Sequence, residues 1–264
     1  MKLAVCGKGG VGKTFIAGTL ASRYAHIGHP VIAIDADPSP NLAITLGLSY
    51  EEAARIQPIA ENADLVRLKT GTEFSGVFRL SFTVNDIVSK YAVKTPSGAS
   101  LMVMGTVKSL GSGCTCPANS LVRALIRHLV VERDDVIIMD MEAGIEHIGR
   151  GTAEHVDAML VVSDANRKSL EIAEQICRLA KESDIALIGL VANRINSVIQ
   201  ENLVKSFADK NDLRLLAVIP FDTKVAEAGI TGEPVEPETS VAVTAIGKLA
   251  DTLSMNLAET GKMR

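Results

Sequence analysis

Apolar residues in this chain gather in short unbroken runs, and the segments between the runs carry them every three to four positions. The runs Lys2–Cys6, Val31–Asp35, Leu101–Met104, Val136–Asp140, Ala158–Val162, Ala186–Ala192 and Leu215–Ile219 predict strands buried on both faces, since a strand with one wet face would alternate. The periodic segments predict helices over Thr14–His26, Ala118 to about Val131, Lys168–Lys181, near Val198–Phe207 and roughly Val241–Leu257. Regular alternation of the two predicts an α/β fold: a doubly wound, mostly parallel sheet flanked by helices and joined by right-handed crossovers. The last segment puts Ala242, Ile246, Leu249, Leu253 and Leu257 on one stripe. It lacks a Lys/Arg-rich polar face and interfacial aromatics, so it is expected to pack on the sheet and not on a membrane. No linker, composition shift or repeat divides the chain, which predicts a single domain over residues 1–264. From Tyr50 to about Gly105 the pattern weakens. A short helix over Glu51–Ile56 and the strand at Leu101–Met104 are all it predicts there, and the rest reads as a long loop of the kind that carries function or a partner surface.

The first strand feeds into Gly7-Lys8-Gly9-Gly10-Val11-Gly12-Lys13-Thr14, which fits the phosphate-loop pattern G-x-x-x-x-G-K-[ST] at all eight positions and opens a helix. Glycines suit such a loop because successive backbone N–H groups must point at a polyphosphate, and side chains would block that approach. The helix dipole adds to the same site. The N–H groups of Gly9 to Phe15 are expected to line the phosphates, with Lys13 reaching the β- and γ-phosphates and the Thr14 hydroxyl on Mg²⁺.

Composition narrows the setting. Of 264 residues, 47% are hydrophobic but only 3% aromatic, with no Trp, which suits a core of aliphatic strands and helices. A net charge of −4 offers no general attraction to nucleic acid or anionic lipid, so neither is expected as a partner. No apolar run approaches the roughly 20 residues that span a bilayer, and a phosphate loop starting at Gly7 leaves no room for a signal peptide. A cytoplasmic location is expected. Four cysteines in a reducing compartment point to metal binding, catalysis or inert packing before disulfides.

Three further segments carry chemistry. Asp35-Ala36-Asp37-Pro38-Ser39-Pro40-Asn41 sets two carboxylates at a strand tip near the phosphate loop, within reach of Mg²⁺ and water, and its prolines keep it a loop. Val136–Asp140 ends in a further aspartate suited to the Mg²⁺ shell. Gly144, in the segment after it, would offer a backbone N–H to the γ-phosphate and move when that phosphate leaves; Glu142 and His147 read as hydrogen-bonded residues of this switch before metal ligands. Gly111-Ser112-Gly113-Cys114-Thr115-Cys116-Pro117 presents two thiols on a flexible loop at a helix start, which favours thiolates. One Cys-x-Cys is half of a tetrahedral set, and Cys6 and Cys177 sit in a strand and a helix, so a second copy across a two-fold axis is the simplest completion.

Lys8-Gly9-Gly10-Val11-Gly12-Lys13-Thr14 resembles the deviant phosphate loop of the superfamily that includes MinD, ParA and the nitrogenase iron protein. The resemblance implies that Lys8 crosses the interface of an ATP-bound homodimer to the partner's nucleotide. It also implies that Asp37 polarises the attacking water, Asn41 helps position it and Asp35 supports the Mg²⁺ shell. Asn193 and the Pro220-Phe221-Asp222 segment would bound the adenine. Phe15 departs from the second hydroxyl residue common in the superfamily, which removes a side-chain contact to the α-phosphate and leaves the backbone N–H. Together with Cys114-Thr115-Cys116-Pro117 and Asp140-Met141-Glu142-Ala143-Gly144-Ile145-Glu146-His147, the loop resembles the CooC group, ATPases that serve nickel insertion into carbon monoxide dehydrogenase. That resemblance, from Met1 to about Pro234, implies Ni²⁺ or Zn²⁺ held between subunits by Cys114 and Cys116, with ATP hydrolysis driving delivery. Maturation of acetyl-CoA synthase and iron–sulfur reduction of the nitrogenase iron-protein type are the alternatives.

Overall fold

The computed structural model describes residues 1–37, 41–72, 79, 82–105, 117–132, 135–141, 156–232, 235 and 237–259. Its strands are β1 (Lys2–Gly7), β2 (Val31–Asp35), β3 (Val93–Lys94), β4 (Ser100–Val103), β5 (Val136–Asp140), β6 (Ala158–Ser163), β7 (Leu187–Ile195) and β8 (Leu215–Pro220). The helices are α1 (Lys13–His26), α2 (Leu42–Thr45), α3 (Tyr50–Ala54), α4 (Ala63–Thr70), α5 (Asn85–Tyr91), α6 (Pro117–Glu132), α7 (Arg167–Ala180), α8 (Val198–Lys210), α9 (Thr223–Thr231) and α10 (Val241–Glu259).

The strands form one sheet in the order β3-β4-β2-β5-β1-β6-β7-β8, parallel except for β3, which pairs antiparallel with β4. Side-chain alternation divides the core in two. Leu3 and Val5 of β1 join the core that holds Ile16 and Leu20 of α1 and Ile246 and Leu253 of α10. Ala4 and Cys6 face the other core, with Leu125 of α6 and Ala173 and Ile176 of α7. Apolar residues on both faces of a strand need helices on both sides, so the unbroken runs and the doubly wound architecture have one cause. The predicted stripe Ala242, Ile246, Leu249, Leu253 and Leu257 is buried against the sheet side of α1 and β8. No helix among the described residues is long and apolar enough to cross a membrane.

The chain steps from β1 to β2 on one side and later from β5 to β6 across β1, so the C-terminal tips of β1, β2 and β5 share a crevice where the winding reverses. That crevice is where ligands of open α/β sheets bind.

The segment from Tyr50 to Gly105 differs from the expectation of a long loop. It contains α3, α4, α5, β3 and β4 and a 3-10 turn at Ile59–Glu61. α4 buries only Leu65 and Thr70, and α5 only Ile87 and Val88, so neither is long enough to print a periodic signature. Caps define the start instead. Ser49 and Glu52 form a reciprocal capping box on α3, and Asn62 accepts from the Leu65 N–H at 3.0 Å to start α4. The predicted helix at Glu51–Ile56 thus begins at Tyr50 and stops at Ala54.

Candidate nucleotide-binding site

The loop between β1 and α1 is built by backbone geometry that only glycine takes easily. Gly12 has φ 94° and is the N-cap of α1, and a Cβ there would lie 2.4 Å from Asn193 Nδ2. Gly7 has φ 141°, and a Cβ would lie 2.2 Å from the Val162 carbonyl oxygen on β6. Gly9 and Gly10 are exposed at the tip, Val11 is buried, and Lys8 and Thr14 are half-buried. Phe15 is partly buried against the α1 core, so its side chain serves packing, and its backbone sits in the first turn of α1. Lys13 is buried, and its ammonium donates to the Lys8 carbonyl at 3.5 Å. A long, weak contact of this kind is readily exchanged for phosphate oxygens.

Asp35 and Asp140 end β2 and β5 and are direct partners in the parallel ladder. Both are buried, at 0% and 1% exposure. Asp35 Oδ1 accepts from the Asp37 N–H at 3.2 Å and Oδ2 from the Leu42 N–H at 3.0 Å, so this carboxylate closes the loop that precedes α2. Burial still pushes it up to about 7, helped by the Asp140 charge and opposed by those two amides. Asp140 is the reverse case: neither carboxylate oxygen has a hydrogen-bond partner. Burial pushes it up to about 6, while the approach of the Thr14 hydroxyl and the charge of Lys13 pull it down. A buried carboxylate with two bare oxygens, beside a phosphate-loop threonine, is a site that a divalent cation completes. The residues present fit Mg²⁺.

Asp37 and Asn41 flank Pro38–Pro40, which lie outside the described residues. Asp37 is half-buried and Asn41 is exposed at the N-cap position of α2, each with interactions of its own.

At the other end of the crevice, Asn193 is buried and donates from Nδ2 to the Val11 carbonyl at 2.8 Å. Sequence reasoning placed this amide against adenine; in this structure it holds the phosphate loop. Arg194, to which sequence reasoning gave no role, donates from Nη1 to the Gly10 carbonyl at 2.8 Å. Nothing in the sequence marks that contact, because it depends on where β7 ends. Asp222 is committed internally. Its carboxylate accepts from the Lys224 N–H at 2.9 Å, the Ser240 hydroxyl at 2.6 Å and the Ala242 N–H at 3.2 Å, tying α9 to α10. Pro220 ends β8 just before it, so this segment can offer adenine its backbone but not that carboxylate.

Cys114 and Cys116 lie outside the described residues, as do Glu142, Gly144 and His147. Pro117 does open α6, as the sequence predicts. Among the described residues no three His, Cys, Asp or Glu side chains group into a metal cluster. Cys6 and Cys177 are buried in one core, and burial raises both thiols, Cys177 to about 12. Protonated thiols in such a setting are inert toward metals.

Comparison with known proteins agrees with this geometry. Residues 3–235 match the model of the CobQ/CobB/MinD/ParA nucleotide binding domain. The chain is 43% identical over 234 residues to the carbon monoxide dehydrogenase accessory protein CooC of Rhodospirillum rubrum, covering 88% of each chain. It is 38% identical over 245 residues to an ATP-binding protein of Methanocaldococcus jannaschii, covering 92% of this chain and 93% of that one. Among solved structures, MinD of Pyrococcus horikoshii complexed with Mg-ADP superposes with a TM-score of 0.64 at 19% identity, covering 96% of this chain and 94% of that one. The chain belongs to the CobQ/CobB/MinD/ParA nucleotide-binding family and, within it, is a CooC-type P-loop ATPase.

Proposed function

We propose that this ATPase is a maturation factor for nickel carbon monoxide dehydrogenase, acting in the cytoplasm as one ATPase domain per chain and as a homodimer that carries Ni²⁺, or Zn²⁺ in its absence, between subunits. The observation that carries the catalytic half is the bare, buried carboxylate of Asp140 beside Thr14 and Lys13. The client is supported by the 43% identity to CooC of Rhodospirillum rubrum.

Thr14 and Asp140 would hold Mg²⁺, with Asp35 supporting the shell through the loop it closes, and the ion would supply positive charge against the phosphates. The N–H groups of Gly9 to Phe15 and the Lys13 ammonium hold the phosphates. Asp37 and Asn41 orient the attacking water, and Gly144 senses the γ-phosphate. The backbone near the ends of β7 and β8, at Asn193, Pro220 and Asp222, bounds the adenine. Lys8 reaches across to the partner's nucleotide and couples hydrolysis to dimer closure. In the closed dimer two copies of Cys114 and Cys116 supply four thiolates, a set that accepts tetrahedral Zn²⁺ or planar Ni²⁺. Opening after hydrolysis splits that set and frees the metal cargo.

The test is activation of nickel-free carbon monoxide dehydrogenase by this protein with limiting Ni²⁺. Activation should require hydrolysable ATP and should be lost in Cys114→Ala/Cys116→Ala. Equal activation without ATP would overturn the function; equal activation by the double variant would overturn the carrier site.

A further inference from the structure

Two consecutive peptide units of the phosphate loop are held from outside by consecutive residues of β7. Arg194 Nη1 donates to the Gly10 carbonyl and Asn193 Nδ2 to the Val11 carbonyl, each at 2.8 Å. The described residues contain no cis peptide, so the N–H of each unit points opposite to its C=O. Fixing the Gly10 carbonyl therefore aims the Val11 N–H at the far side of the loop, and fixing the Val11 carbonyl aims the Gly12 N–H the same way. Arg194 does this from φ 59°, a region that side chains other than Gly, Asn and Asp seldom occupy. It sits at a break in pairing, where the β7–β8 register shifts between Ala192 and Ile195. Arg194 is exposed, and its unusual backbone coincides with this break in pairing and with its hydrogen bond to the loop.

We propose that Arg194 is a positioning residue for phosphate binding. Through the Gly10 carbonyl its guanidinium turns the Val11 N–H toward the nucleotide phosphates and fastens the tip of β7 to the phosphate loop. The inference rests on the reading of Gly7–Thr14 as the seat of those phosphates.

The experiment measures affinity for MgADP and for magnesium tripolyphosphate, with thermal unfolding, in wild-type protein and in Arg194→Gly, Arg194→Ala, Arg194→Lys and Lys13→Gln. Arg194→Gly relieves the backbone and removes the donor. It should melt at or above the wild-type temperature and yet bind both ligands about tenfold more weakly, the loss expected for one hydrogen bond to an oriented group. Arg194→Ala should bind as weakly, and Arg194→Lys should recover part of the affinity. A residue serving stability alone would not separate these two readouts. Wild-type affinity in Arg194→Gly, or a loss seen with MgADP but not tripolyphosphate, would overturn the role of Arg194. Unchanged affinities in Lys13→Gln would overturn the phosphate seat itself, and the proposal with it.

Discussion

Asp35 and Asp140 stand directly opposite each other on β2 and β5, equally buried, yet Asp35 accepts two backbone N–H bonds and Asp140 accepts none. The satisfied carboxylate shapes the loop toward Asn41, and the bare one is the carboxylate we propose holds the cation. Burial raises both carboxyls; the Asp140 charge adds to the rise at Asp35, and the Thr14 hydroxyl and then the Lys13 charge temper it at Asp140.

Both carboxyls hold a proton more tightly in the folded protein, at about 7 and about 6, than in the unfolded chain, where Asp titrates near ~3.9. The folded state therefore carries more protons between about pH 4 and about pH 7, and stability falls as pH rises through that window. Thermal unfolding in metal-free buffer should show Tm decreasing from pH 5 to pH 7 and levelling above. Saturating MgADP should flatten the slope. A flat metal-free profile would contradict this account of the pair.

Asp140→Asn removes the uncompensated charge. At pH 8 the variant without nucleotide should be more stable than wild type, by up to about 3 kcal/mol for a shift of about two pKa units. Its ATPase activity should fall at least about 100-fold, as removal of charge stabilisation from a reacting site commonly does. Loss of stability at pH 8 in chemical denaturation would sink the idea that this carboxylate awaits a cation.

Gly12→Ala drives its Cβ into Asn193 Nδ2. Alone it should destabilise by about 1–3 kcal/mol, from the clash and the unsuitable φ. Asn193→Ala removes the obstacle and the Val11 contact together, so the two substitutions should be strongly non-additive in a double-mutant cycle. Simple additivity would place the clash elsewhere.

Cys6 and Cys177 are buried with raised thiols, and Cys6 Sγ points at the Leu160 carbonyl at 3.7 Å. In native protein neither Cys6 nor Cys177 should react readily with an alkylating reagent. Mass spectrometry of the labelled chain checks this. Rapid labelling of Cys6 or Cys177 would contradict the packing described.

Lys8 is half-buried, and only its carbonyl meets Lys13. Lys8→Ala should keep nucleotide affinity within about threefold while lowering kcat at least about tenfold, the pattern of a group that acts in the transition state. Equal kcat for variant and wild type would remove the cross-subunit role.

Much of the fold was legible because buried parallel strands are apolar at every position; β2 and β5 match the sequence reading residue for residue. The phosphate loop was legible because its glycines are forced by geometry that a short motif records. α4, α5 and α9 were not, since each buries at most two side chains; α4 and α9 are started by the caps Asn62 and Asp222. The Arg194 latch was invisible for a different reason. It joins positions 184 residues apart, and no local pattern encodes such a contact.

The most direct test of the account is nickel per chain, by elemental analysis with sizing, for intact protein and Cys114→Ala/Cys116→Ala in MgATP. The account predicts one Ni²⁺ per two chains in a dimer, with the metal lost in the double variant. Equal nickel in both proteins, or a stoichiometric metal on a monomer, would contradict a site shared between subunits.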